Sequence, residues 1–224
     1  MKLLAIDTSS AILSVAAQNG EKIASREETI PRQHAEMIFT LCEQVLAECG
    51  LQLNELEAIA CGIGPGSFTS LRIGLGVVQG LALGAELPVI SISSLLAVAQ
   101  AATPEAVGTA LVCMDARMGE VYTAQCQRST DGLMQLATKE SVSPAEQVNF
   151  PAAENWVALG NGFAEYQQRF STIPTQVISN CWPQATAILE LARPMFAAGE
   201  SDSPSSLIPN YVRDNVAKRS NPKR

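Results

Sequence analysis

The sequence predicts an α/β protein of two similar lobes. Three observations carry this: strands and helices mix in both halves, each half opens strand, polar turn, strand, and 47% of the 224 residues are hydrophobic, enough for a real core. The similarity between halves is one of plan rather than of letters.

The first thirty residues read as strands. Leu3 to Asp7 is an apolar run ending in the tight turn DTSS. Ile12 to Ala17 is β-rich, Asn19-Gly20 marks a hairpin, and Lys22 to Arg26 returns. A helix is expected over 32–49, with Pro31 suited to its first turn, Gly50 to its end, and apolar residues at helical period. More than half its circumference is apolar, so it needs cover on a second side or a place at the centre. Leu56 to Cys61 is a buried strand running into the loop GIGPGSF. A second helix follows from about Thr69 to Leu83, then a strand from Pro88 to Ile92. Ser93 or Ser94 caps a third helix, Leu95 to Ala102. Thr103-Pro104 marks the expected division, giving lobes over 1–104 and 105–212.

The second half repeats the opening with Ala110 to Asp115, the turn ARMG and Val121 to Gln127. Asp131-Gly132 turns the chain into Met134 to Thr138. A short helix near 144–148, a strand Trp156 to Leu159, the turn GNG, a helix around Phe163 to Phe170 and a strand near Gln176 to Ile178 follow. The helix from about Pro183 to Ala198 carries Pro194, expected to kink or end it. Residues 213–224 hold five basic residues against one acid and read as a flexible basic tail.

Composition excludes several functions. A net charge of -7 argues against a surface that grips nucleic acid throughout. No apolar run reaches the length of a membrane span, and the N-terminus meets polar residues too early for a secretory signal. The expected location is cytoplasmic, with no membrane partner. The six cysteines form no C-x-x-C pair and His34 is the only histidine, so neither a zinc cluster nor a Ser-His-Asp machine is readily built. The cysteines read as small core residues.

Two strand ends place an acid before a tight turn: Asp7 in DTSS and Asp115 in DARMGEVY. Such turns can cradle phosphate with backbone N–H groups, and the carboxylate can hold Mg²⁺ through water. The same residues can instead accept backbone bonds within a turn. GNGFAEY, with Gly160 and Gly162, is open between a nucleotide contact and an ordinary strand-to-helix turn. GIGPGSFTSLRIG is neither a phosphate-binding GxxxxGK[ST] loop nor a dinucleotide fingerprint. In the helix after it, Gly76, Gly80 and Gly84 fall four apart on one stripe. Three helical glycines on one stripe fit close approach of another helix, either inside the chain or from another subunit.

LLAIDTSS, RQHAE, GIGPGSFTSLRIG, PVISISSL, MDARMGEVY and IPNYVRD together resemble the bacterial TsaB (YeaZ) family over most of the chain. The resemblance implies the two-lobed actin/sugar-kinase/Hsp70-like (ASKHA) fold. It also implies a role in placing threonylcarbamoyl on the adenosine beside the anticodon of tRNAs that read codons beginning with A. Family members work with a catalytic relative, TsaD, and a small ATPase, TsaE. ATP or ADP and a metal are then expected on those subunits and no cofactor on this chain, with tRNA reached through the complex. The relative's H-x-x-x-H metal motif corresponds here to SISSLLAVAQ, which has no histidine, so this chain is expected not to catalyse transfer. The family's first two helices form its dimer surface, which carries Met37, Leu41, Arg72, Leu75, Gly76 and Gly80 over as interface residues, in a homodimer when alone. Asp7, Thr8, Ser9, Asp115, Gly160 and Gly162 would then outline a vestigial nucleotide cleft. The alternatives are a stand-alone ATP-dependent small-molecule kinase and a metallopeptidase-like enzyme on the same fold.

Overall fold

The structure is a computed structural model that describes residues 1–29, 34–172 and 174–213. Pro31, the side chain of His34 and the tail beyond Arg213 lie outside the described residues.

Five strands build the first sheet: β1 (Lys2–Asp7), β2 (Ile12–Asn19), β3 (Lys22–Thr29), β4 (Ala58–Gly62) and β5 (Val89–Ile92). Their order is β3-β2-β1-β4-β5, with β1 antiparallel to β2 and parallel to β4. The β2–β3 register pairs Asn19 with Lys22, so the turn residues are Gly20 and Glu21, one position later than the Asn-Gly pattern suggests. Only Gly20 of that pair has positive φ (60°), as a type II′ turn requires. Alternation along β1 sorts its side chains to opposite faces. Leu4 and Ile6 meet helices α1 (His34–Cys49) and α2 (Phe68–Gly84), while Leu3 and Ala5 face the other way.

The second sheet repeats this plan. It contains β6 (Thr109–Asp115), β7 (Glu120–Arg128), β8 (Met134–Leu136), β9 (Ser141–Pro144), β10 (Trp156–Leu159) and β11 (Val177–Ile178). The order β11-β10-β6-β7-β8, read from β8, matches the first sheet strand for strand, and β9 adds a second partner to β7. A short helix α4 (Gly162–Glu165) follows β10. The expected helix at 144–148 is a 3-10 turn over Ala145–Gln147, and only the start of the 163–170 helix is α-helical.

The last helix of each half crosses to the other sheet. α3 (Ser94–Ala102) lays Leu95, Val98 and Ala99 against the second sheet. α5 (Ala185–Ala197) lays Ala185, Ile188 and Leu189 against the first. One helix from each side of the expected 104/105 division thus packs on the opposite sheet. Helix α5 also runs through Pro194 to Ala197 rather than stopping there. Pro194 is exposed, so water can take the carbonyl that loses its N–H partner.

After α5 the chain returns along the first sheet. Asp202 exchanges both backbone bonds with Val89, at 2.8 and 3.0 Å, and Leu207 buries its side chain in the α1/α2 core. Gln79 of α2 donates to the carbonyls of Pro204 and Leu207, and Asn210 N–H donates to Ile63 O at 2.8 Å. The segment then reaches the second sheet, where Arg213 donates to Ala116 O and Glu120.

Candidate functional site

The DTSS turn is wired into its surroundings. Asp7 is wholly buried, and its carboxylate accepts from Ser9 N–H (2.8 Å), Ser9 Oγ (2.8 Å) and Ser94 Oγ (2.9 Å). Burial pushes its carboxyl up to about 6, because desolvation of the ion outweighs those three bonds. Thr8 donates to Ser70 O at 2.8 Å, and Ser67 N–H donates to Ser9 O at 2.7 Å. From the end of β4, through the loop and into α2, the chain packs so tightly against this turn that glycine is required. A Cβ on Gly62 would lie 1.8 Å from Asp7 Oδ2, on Gly66 2.3 Å from Ser9 O, and on Gly74 2.1 Å from Thr8 Oγ1.

Asp115 repeats the arrangement in the second sheet. Its Oδ1 accepts Arg117 N–H at 2.7 Å, as Asp7 accepts Ser9 N–H, two residues on in each case. Arg117, Met118 and Gly119 all have positive φ (65°, 56° and 78°), which turns ARMG back on itself. Tyr166 also donates to Asp115 Oδ1 at 2.7 Å, and the carboxylate raises the Tyr166 hydroxyl above its usual range. Both acids thus make the backbone bonds of a turn, one of the two roles left open by the sequence.

Between the lobes lies a cleft of about 560 Å³. Ser9, Ser67, Ser70, Asp115, Asn161 and Asn210 line it. Of the six residues expected to outline a nucleotide cleft, only Ser9 and Asp115 reach it. Asp7 and Thr8 are spent inside the first lobe. Gly160 and Gly162 are buried against β6, where added Cβ atoms would meet Cys113 O at 2.3 and 2.8 Å. Their role is close backbone packing. Asn161 between them caps the strand end instead, accepting Asp115 N–H at 3.0 Å.

In the segment SISSLLAVAQ, Ser93 caps α3 by accepting Leu96 N–H (3.0 Å) and donates to Glu140. Ser94 donates to Asp7 and accepts Gly64 N–H at 3.0 Å. Both hydroxyls are therefore committed to holding the fold. Among the described residues, no group of three His, Cys, Asp or Glu side chains converges.

The helical face divides differently from expectation. On α1, Ile38, Leu41, Cys42, Val45, Leu46 and Cys49 form one buried stripe against the first sheet, so most of its apolar surface is covered internally. Leu41 (3% exposed) and Leu75 (4%) are core residues, which corrects their assignment to an interface. Met37 is half-buried, whereas Phe39 stands out at 46% exposed. On α2, Arg72, Gly76, Gly80 and Gly84 are exposed, with Leu83 beside them at 60%. A Cβ added at any of these three glycines would meet nothing within 4 Å. Among the described residues, the glycine stripe therefore serves no close contact inside the chain.

Two sheets of one topology, crossed helices and an interlobe cleft define the ASKHA class. Residues 20–220 match the family model described as TsaD, tRNA N6-adenosine threonylcarbamoyltransferase. The Escherichia coli tRNA threonylcarbamoyladenosine biosynthesis protein TsaB is 38% identical, covering 97% of this chain and 96% of that protein. The Haemophilus influenzae TsaB is 37% identical over 100% of this chain and 98% of its own. The solved structure of YeaZ from Pseudomonas aeruginosa, 38% identical, superposes with a TM-score of 0.88 over 94% of this chain and 99% of that one. A second P. aeruginosa crystal structure, of a protein described as similar to the peptidase YeaZ, gives 0.89 over 95% and 99%. The chain belongs to the TsaB family.

Proposed function

We propose that this chain is a non-catalytic scaffold and activator subunit of the complex that installs threonylcarbamoyl on the adenosine next to the anticodon. It acts with a TsaD-like catalytic subunit and a TsaE-like ATPase, reaching tRNA through the complex and carrying no cofactor itself. Family membership supports the pathway. The observation that carries the subunit role is the open face of α2, where three glycines in a row leave backbone exposed and unopposed among the described residues. Glycine in a helix interior costs up to about 1 kcal/mol against alanine, and the close approach of a partner helix offsets that. The committed Asp7 carboxylate supports the same reading over a kinase, since it has no surface from which to meet phosphate or metal.

Docking on α2 orders the partner's active lobe, shifting a population rather than supplying chemistry. The test is Gly80→Leu, whose side chain would project from the open face without disturbing this chain's own packing. It should abolish capture of the catalytic relative from the same genome and the tRNA modification that depends on it, while the circular dichroism spectrum stays unchanged. Normal capture and modification would refute the proposal. Turnover of ATP by the chain alone would restore the kinase alternative.

A further inference from the structure

We infer that Arg72 is a preformed anchor for a carboxylate on the docking partner, and that Phe68 and Tyr211 are the positioning residues that hold it ready. This rests on the docking role of α2 and adds the partner's chemistry and a contribution from the C-terminal segment.

Arg72 is the only charged residue in the 17-residue α2. Its guanidinium carbon lies 3.5 Å from the centroid of the Phe68 ring and 5.4 Å from that of Tyr211. Its Nε donates to Tyr211 Oη at 2.9 Å. A freely rotating arginine loses most of its rotamer freedom on binding; one stacked over the Phe68 ring and bonded to Tyr211 has already lost much of it. Its Nη groups make no hydrogen bond and no ion pair among the described residues. They present the planar pair of donors that a carboxylate accepts bidentately.

Tyr211 is itself held on both sides. Asn210 bonds Ile63 O through its N–H and Glu140 through its side chain, and Arg213 bonds Ala116 O and Glu120. Even so, Tyr211 and Phe68 are 48% and 41% exposed, so the cluster stands at the surface, at the head of the row that runs through Gly76 and Gly80.

The chemistry of the face selects the occupant. One cation on an otherwise uncharged helix is too little for an RNA backbone, whose binding needs several phosphate contacts. A protein helix fits: small or apolar residues against the glycines, and an Asp or Glu placed over Arg72. A second copy pairing α2 on α2 would bring another Arg72 and no carboxylate, whereas one presenting α1 would offer Glu36 or Glu43, so self-association is the competing outcome of the test. The occupant is the catalytic relative, whose docking this face is proposed to serve.

The experiment measures affinity of the full chain for that relative by calorimetry, with self-association followed by analytical ultracentrifugation. Arg72→Ala should weaken hetero-binding at least about tenfold, and Arg72→Glu more, with recovery when one acidic residue of the partner is changed to Arg. Tyr211→Ala should weaken binding in wild-type chain but have little further effect in the Arg72→Ala background. That non-additivity separates positioning from a general structural loss. Tyr211→Phe, which keeps the ring, should give an intermediate loss. Unchanged binding by Arg72→Ala, additive effects, or an equal loss of self-association would each overturn the inference. A Gly80→Leu chain that fails to bind alongside an Arg72→Ala chain that binds normally would leave the docking face standing and remove only this anchor.

Discussion

Replacing Asp7 with Asn should change the pH dependence of stability in a defined direction. The carboxyl is raised from 3.8 to about 6, chiefly by desolvation. For an acid raised by folding, the native state holds its proton where the unfolded chain has released it. Stability from this group is therefore full below about pH 4 and is lost as pH rises to about 6. A rise of roughly two pH units corresponds to about 3 kcal/mol. Asparagine keeps the shape and never ionises, but it puts an NH₂ where Oδ2 now accepts from Ser94 Oγ. Loss of that bond should cost about 1 kcal/mol at every pH. The variant should be about 1 kcal/mol less stable near pH 4 and about 2 kcal/mol more stable near pH 7.5, so the two curves cross. Urea unfolding at both values reads this directly, on either side of the sequence pI of 4.8. Parallel curves would refute the argument, because they would mean that Asp7 is not a buried anion above pH 6.

Other perturbations separate packing from docking. Gly74→Ala should destabilise the chain by about 1–3 kcal/mol, because its Cβ would strike Thr8, itself fixed to Ser70. Gly76→Ala, with open space around it, should raise the free chain's stability by about 0.5–1 kcal/mol in thermal melts while weakening capture of the partner. Leu207→Ala should cost about 2–5 kcal/mol despite lying near the end of the described chain, since its side chain is only 4% exposed and fills the α1/α2 core. The six buried cysteines should react with a thiol reagent only as the protein unfolds. Desolvation lifts several of them, pushing Cys42 up to about 12 and Cys181 to about 11.

The local elements were legible in the sequence where period and turn chemistry agreed. β1, β2 and β10 follow from apolar runs bounded by turns, and the Ser93 cap from its place before an apolar stretch. β9 was missed because Ser141–Pro144 has little apolar character and ends in proline; only its pairing with β7 makes it a strand. Leu41 and Leu75 show the limit of reading a helix by itself. Periodicity identifies an apolar stripe, but which stripe meets the chain's own sheet depends on tertiary packing. The glycine row was legible as a row, whereas its open outlook was not. Gly160 and Gly162 stay open in the sequence between a nucleotide contact and an ordinary turn because close approach to any backbone, ligand or strand, demands the same residue. Tyr211 lay within a quoted motif but carried no assigned role, since its partner Arg72 lies 139 residues earlier.

The exchange of helices between sheets has a consequence for biosynthesis. Strands 109–178 form an uninterrupted stretch of chain, whereas the first sheet awaits a helix at 185–197 and an edge segment at 202–207 that are translated after that stretch. The amino-terminal half, though translated first, cannot finish burying its far face until the helix at 185–197 has emerged. The protein therefore matures as an insert within a host that closes around it, and a premature stop after residue 180 strips the earlier half, not the later, of its cover.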